Sequence, residues 1–141
     1  MILQFQNEYR WLSNFHPFET PLVYDGVEYP TNEHFYQAMK TEDKELRLTI
    51  ANHPTKGLKQ FVEDNIKLGK KWHQEKTGVM LFGLRHKFDP EQNPILHKKL
   101  MDTGNIRIQE GNNWRDLFWG VDIKTGEGQN MLGLLIMEIR R

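Results

Sequence analysis

Pro30-Thr31-Asn32-Glu33-His34-Phe35-Tyr36-Gln37-Ala38-Met39-Lys40 reads as the start of a helix. Thr31 is placed to cap it, because a threonine oxygen at that position accepts an N–H from the first turn. Phe35, Ala38 and Met39 recur at helical spacing and form a core-facing stripe. Glu33, Gln37 and Lys40 fall at i, i+4 and i+7, a narrow sector on the opposite side. Spacing alone makes that sector a solvated polar face, the ordinary place for charged side chains. One detail points elsewhere. Glu33 sits in the first helical turn, where the helix dipole favours a negative charge. A carboxylate held there can steer water or stabilise a positively charged transition state.

Upstream of this helix the chain reads as β. Leu22-Val23-Tyr24 and Val27-Glu28-Tyr29 flank Asp25-Gly26, a two-residue hairpin signal. Met1 to Phe5 suits a short strand, and the aromatic, irregular run from Trp11 to Phe18 reads as a loop. Downstream, helices are expected over Asp43 to Ala51 and Pro54 to Asn65, with Gly69 as a break. A longer helix starts near Trp72 and carries Val79, Met80, Leu81, Phe82, Leu84 and Phe88, interrupted by Gly78 and Gly83. Pro94 suits the first position of a helix reaching Met101, and Ile106-Arg107-Ile108 alternates like a strand. The closing run from Met131 to Ile139 is apolar on nearly every side, so it is expected in the middle of the fold, with Gly133 admitting another backbone. The pattern is α+β: one helix-rich domain, residues 1–141, with a small β component.

Composition bounds the function. A chain of 141 residues is the size of one domain, and can bury roughly two thirds of its unfolded surface. Nineteen basic residues balance nineteen acidic ones, so no net field draws the protein to nucleic acid or to anionic membrane. Binding to nucleic acid would need a local patch or chemistry on one nucleotide. The absence of cysteine excludes disulfides, thiolate nucleophiles and thiolate metal sites. Met1 to Glu8 lacks the pattern of a secretory leader, and no apolar run approaches the roughly 20 residues that span a bilayer. The cytoplasm is the expected location.

The histidines are scattered, with no HExxH and no i, i+4 pair built on His16 or His34, so neither a metal nor a cofactor is expected. Ser13 is the sole serine, and nothing around it resembles a nucleophile elbow. The tail carries more. Asn112-Asn113-Trp114-Arg115-Asp116-Leu117-Phe118-Trp119-Gly120 mixes aromatic and polar side chains; tryptophans mostly serve cores, but Trp119 and Trp72 would also suit stacking on a heterocycle. The glycine-bearing run Lys124 to Asn130 leads into the last helix, where backbone N–H groups can take a phosphate, although no Walker lysine accompanies it.

Four blocks together resemble the YbiA-like, or NADAR, family. They are Trp11-Leu12-Ser13-Asn14-Phe15, the run from Tyr29 to Lys40, Asp116-Leu117-Phe118-Trp119-Gly120, and Gly128-Gln129-Asn130-Met131-Leu132-Gly133. They occur in family order from near residue 10 to the end, and the second is long and chemically mixed. The resemblance implies a YbiA-like fold and hydrolysis of N-glycosidic bonds. One branch of the family acts on ribosylated intermediates of the riboflavin pathway; another removes ADP-ribose from guanine in nucleic acid. Carried onto this chain, the family's catalytic and binding positions fall on Glu33, Asp116 and Trp72, while Asn14 and Lys40 match motif positions that line the pocket. Trp119 and Asn130 join them as expected substrate-binding residues. Where more glycine would be expected, residues 121–127 read Val-Asp-Ile-Lys-Thr-Gly-Glu, a departure that bears on substrate choice.

Loss of a base from ribose passes through an oxocarbenium-like state, which a pair of carboxylates can stabilise while one activates water. Glu33 and Asp116 are the expected pair. A second route has Lys40 attack the opened sugar as an amine, which needs a depressed pKa. The expected partner is a small nucleotide-like substrate or ADP-ribosylated nucleic acid, not a membrane. The rival reading is a module that binds ADP-ribose or a similar nucleotide without turnover.

Overall fold

Asp25 and Gly26 both take left-handed backbone angles, φ 49° and 76°. This is the tight turn that matches the twist of a hairpin. It joins β1 (Pro17–Tyr24) to β2 (Val27–Thr31), antiparallel, with Tyr24 opposite Val27 and Leu22 opposite Tyr29. The register shifts between Pro17 and Leu22. Val27, Tyr29 and Thr31 alternate inward along β2, as a half-buried strand requires. The strand ends where a helix begins: Thr31 closes β2 with extended angles and its hydroxyl accepts from the His34 N–H, capping α1 (Asn32–Ala38).

The computed structural model describes all residues, Met1–Arg141, and divides them into two compact units. The first, Asn14–Lys87, holds the hairpin, α1, α2 (Lys44–Ala51), α3 (Leu58–Asn65) and α4 (Trp72–Lys87). Asp43 caps α2 by accepting the N–H groups of Glu45 and Leu46. Gly57, at φ 79°, turns the chain into α3, so this helix starts at Leu58 rather than at the expected Pro54. Phe18, Leu22, Val27, Tyr29, Phe35, Ala38, Ile50, Leu58 and Val62 make one core, with Met39, Phe61, Ile66 and Val79 packed against it.

α1 is the hub of this unit, in contact with β1, β2, α2, α3 and α4. All seven of its residues are buried, so the expected solvated polar face does not exist. The helix also ends sooner than its spacing suggested. Lys40 lies in the turn after it, where the Lys40 N–H donates to the Gln37 carbonyl. His34 ties both ends of the local chain. Its Nε2–H donates to the His53 carbonyl at 2.7 Å, which leaves Nδ1 to accept from the Thr31 hydroxyl at 2.6 Å. Against α4 the packing is tighter still: a side-chain carbon at Gly83 would overlap the Asn32 amide oxygen. No such neighbour faces Gly78, one turn and a half earlier.

The second unit, Met1–Ser13 with Phe88–Arg141, contains a 3₁₀ helix at Asn7–Leu12, α5 (Pro94–Asp102), α6 (Met131–Arg140) and the short parallel pair β3 (Gly111–Asn112) and β4 (Val121–Asp122). The two strands expected at Met1–Phe5 and Ile106–Ile108 reduce to a single parallel bridge between Ile2 and Ile108. A side-chain amide extends it: Asn130, at φ 53°, donates to the Ile108 carbonyl and accepts from the Glu110 N–H. That work is done elsewhere by strand pairing. α6 buries Leu132, Gly133 and Ile136 but leaves Leu134 exposed, so it presents one buried face instead of the all-round burial that its composition suggested. Gly133 lies directly on the Ile108 carbonyl. Neither unit holds a helix long and apolar enough to cross a membrane.

Lys87, the last residue of α4, is fully buried, and desolvation pushes its amine down to about 7.

Gly83→Ala is expected to destabilise the protein by about 1–3 kcal/mol through overpacking against Asn32, whereas Gly78→Ala is expected to stabilise it by up to about 1 kcal/mol through helix propensity. Thermal melts that rank the two variants in the reverse order would contradict this packing. For Lys87, the unfolded chain binds more protons than the folded one between about pH 7 and the ordinary lysine value of 10.5. Stability therefore rises with pH across that window, with a slope of up to about 1.4 kcal/mol per unit. Denaturant titrations of Lys87→Met at pH 7 and 9 should show this rise reduced.

Candidate active site

Burying a carboxylate requires hydrogen bonds to replace those of water. Glu33 is only 4% exposed. Its Oε2 accepts from the Gln37 amide, Nε2, at 2.6 Å. This is the i, i+4 pair that one helix face brings together. The Glu33 backbone N–H, which has no partner within α1, donates to the carbonyl of Asn14 at 3.0 Å. The Asn14 side chain is fixed in turn. Its oxygen accepts from Asn32 Nδ2 at 3.0 Å and its own amide meets the Met80 sulfur at 3.5 Å. Asn32 Nδ2 also faces that sulfur, at 3.4 Å.

Lys40, in the turn after α1, interacts electrostatically with the same carboxylate. Burial is the main cause that lowers its pKa; Glu33 opposes the fall, Lys59 and Lys76 deepen it, and Glu63 opposes it. The amine stands 5.4 Å from the ring centroid of Tyr36 and 6.0 Å from that of Trp72, within cation–π range. The two rings lie 5.2 Å apart, tilted by 59°. Trp72 and Tyr36 are both buried, so they form a wall beside Lys40 and not an exposed platform.

Of the expected site residues, then, Asn14, Glu33, Lys40 and Trp72 belong to one unit and are linked there by short steps. Asp116, Trp119 and Asn130 belong to the other. There, Asn112 organises the loop. Its oxygen accepts from the N–H groups of Trp114 and Asp116, and its amide donates to the Asp116 carbonyl and to Glu110 Oε2. Asp116 Oδ1 accepts from the Trp119 N–H at 3.0 Å. Arg115, at φ 66°, tips the loop, and Trp114 is exposed beside it. The glycine-bearing run forms its own turn: the Asp122 carboxylate accepts from Thr125 and Lys124 N–H groups, which hold it below the usual carboxylate range. At the head of α6, the N–H groups of Met131 and Leu132 donate to the carbonyls of Phe118 and Trp119. These two amides are therefore spent within the protein and not free for a phosphate.

Sequence reasoning assigned no role to Gln37, Asn32, Tyr36 or Asn112. Only Gln37 carried a signal, its i+4 spacing from Glu33.

A buried carboxylate held by an amide thus belongs to the same unit as a desolvated amine that faces two aromatic rings. Comparison with known proteins places the chain in a family. The NADAR domain matches residues 3–141, and the chain belongs to the NADAR family. It is 35% identical to the N-glycosidase YbiA of Escherichia coli over 136 residues, covering 95% of this chain and 81% of that protein. The NMR structure of E. coli YbiA superposes with a TM-score of 0.80 at 32% identity, covering 99% of this chain and 84% of that one, which establishes a YbiA-like α+β fold. A riboflavin biosynthesis protein of Vibrio vulnificus is 32% identical over 92% of this chain, but over only 34% of its own length.

Because Lys40 is depressed mainly by burial, it should acylate ahead of the exposed lysines in competitive labelling near pH 8. Removing the Glu33 charge removes a contribution that holds the amine up, so Glu33→Gln should label Lys40 faster still. Equal or slower labelling, read by peptide mass spectrometry, would contradict the electrostatic coupling of the two.

Proposed function

We propose that the protein is an N-glycosidase that hydrolyses the bond between a nucleobase-like amine and a ribose or ADP-ribose. The observation that carries this reading is Glu33: a buried carboxylate, held through one oxygen by Gln37 and electrostatically coupled to Lys40. As the base departs, positive charge develops at the anomeric carbon, and a carboxylate stabilises it or takes a proton from the attacking water. The names of the relatives support the bond type, and a riboflavin biosynthesis protein among them supports a ribosylamine intermediate as one substrate class. ADP-ribosyl-guanine in nucleic acid is the other class this proposal carries. Asp116 is retained as the second carboxylate, binding ribose hydroxyls, with Trp72, Trp119, Asn14 and Asn130 as substrate-binding residues.

Lys40 gives the reading a second form. A desolvated amine can attack C1 of the ring-opened ribosyl imine; the bond from C1 to the base nitrogen then breaks, the base leaves with a proton, and the lysine imine that remains is hydrolysed by one water to the free amine and the sugar aldehyde. The low pKa favours the neutral amine that this route needs. A module that binds nucleotides without turnover is the competing class.

Incubation with the ribosylated riboflavin-pathway amine and with ADP-ribosylated guanine oligonucleotide, followed by mass spectrometry, should show release of the free base from at least one. Binding without release would favour the module. Glu33→Gln should lower kcat by about 10² or more, and near-normal turnover in that variant would overturn the role of Glu33. Borohydride trapping of a Lys40 adduct would support the imine route; full activity of Lys40→Arg would eliminate it.

A further inference from the structure

Gln37 is 3% exposed and has one polar anchor. Its Nε2 donates to Glu33 Oε2 at 2.6 Å, while its Oε1 is buried with no hydrogen-bond partner. Leaving a buried amide oxygen unsatisfied costs about 1–3 kcal/mol, so a second use for that oxygen would offset a standing penalty. The geometry of an amide supplies one. Its two ends are nearly the same size, one donating and one accepting. With Glu33 ionised, the NH₂ end donates to the carboxylate, as observed. With Glu33 protonated, a half-turn of the amide would bring Oε1 to accept from the carboxyl O–H. No other hydrogen bond holds Gln37 in its present orientation.

We propose that Gln37 is a positioning residue that follows the protonation state of Glu33, turning its amide to remain bonded to the carboxyl group in either state. The inference rests on the reading of Glu33 as the group that takes up a proton during turnover. In the ionised state Gln37 fixes one carboxylate oxygen and leaves the other for substrate or water. When Glu33 takes a proton, the same side chain holds the acid in place, so that it does not rotate away before the proton is returned. The proton stays on Glu33 throughout; only the hydrogen bond reverses direction. The charged groups around the pair are Lys40, in the turn after α1, and beyond it Lys59 and Glu63 of α3 and Lys76 of α4. The variants below alter none of them.

The direct test follows the Glu33 carboxyl carbon by ¹³C NMR against pH in the intact protein, the signal being assigned by its loss in Glu33→Gln. Gln37→Met keeps the length of the side chain and removes both ends of the amide. Bonds to the charged and to the neutral form of Glu33 are then lost together and their effects oppose, so its Glu33 midpoint should move by well under one pH unit. Gln37→Glu, nearly the same shape, guards against misfolding. It places a second carboxyl group beside the first, so the pair should titrate in two separated steps. A rise of about one unit or more in a folded Gln37→Met, or independent single titrations in Gln37→Glu, would overturn the proposal. In the wild type, the ¹⁵N shift of the Gln37 amide should change with the same midpoint as Glu33; a pH-invariant amide signal would overturn the turning of the amide. A glutamine fixed in its present orientation would bond the charged form alone, and Gln37→Met would then raise the midpoint by about one unit or more. The catalytic reading fails separately, through a fully active Glu33→Gln.

Discussion

A carboxylate placed inside a protein core must be hydrogen-bonded there, and much of the unit Asn14–Lys87 is arranged around that requirement at Glu33. The residue occupies the second position of a helix whose every side chain is buried. Its carboxylate is met by Gln37 one turn on, and its backbone N–H by the carbonyl of Asn14. Asn14 is fixed by Asn32, and Asn32 fits only because position 83 has no side chain. A hydrogen bond inside α1 is thereby tied to a glycine in the middle of α4. Exclusion of water strengthens each of these contacts, and it makes any unmatched polar atom among them expensive.

Desolvation acts on the neighbouring amine in a complementary way. Burial lowers the pKa of Lys40, and the Glu33 carboxylate opposes that fall. The rings of Tyr36 and Trp72 add faces that attract the ammonium form without hydrogen-bonding to it. The result is a desolvated amine flanked by two aromatic rings, its charge supported by a buried carboxylate. In the other unit the design differs. There the polar groups of Asn112, Asp116, Asp122 and Asn130 bond to backbone groups, and these bonds shape loops where strand pairing is short.

What could be read from the sequence followed from local rules. The Asp25-Gly26 hairpin, the Thr31 cap and the extents of α2, α4 and α5 depend on turn chemistry and periodicity, both of which are visible in a single chain. The errors arose where tertiary packing decides. Helical spacing separates an apolar face from a polar one, but it does not say whether the polar face meets water or a second layer of protein. For α1 it meets protein, and hence Glu33 and Gln37 are buried. The strands expected at Met1–Phe5 and Ile106–Ile108 shrank to one bridge because their partners are few and an asparagine side chain completes the ladder. Glu33, Lys40, Asn14 and Trp72 could be named from a motif, but the links among them could not. Those links depend on Asn32, Gln37 and Gly83, residues that look ordinary in sequence.

The complete burial of α1 also bears on how such a protein changes over time. A helix with a solvent face offers positions where substitutions are nearly neutral, and its sequence drifts there first. α1 has none. Each residue from Asn32 to Ala38 is buried, so a substitution at any of them meets protein and not water. By contrast, Trp114 and Arg115 stand on a loop whose backbone is held by Asn112, and their side chains can be exchanged without undoing those bonds. Tolerance of substitution is thereby granted to that loop and denied to α1.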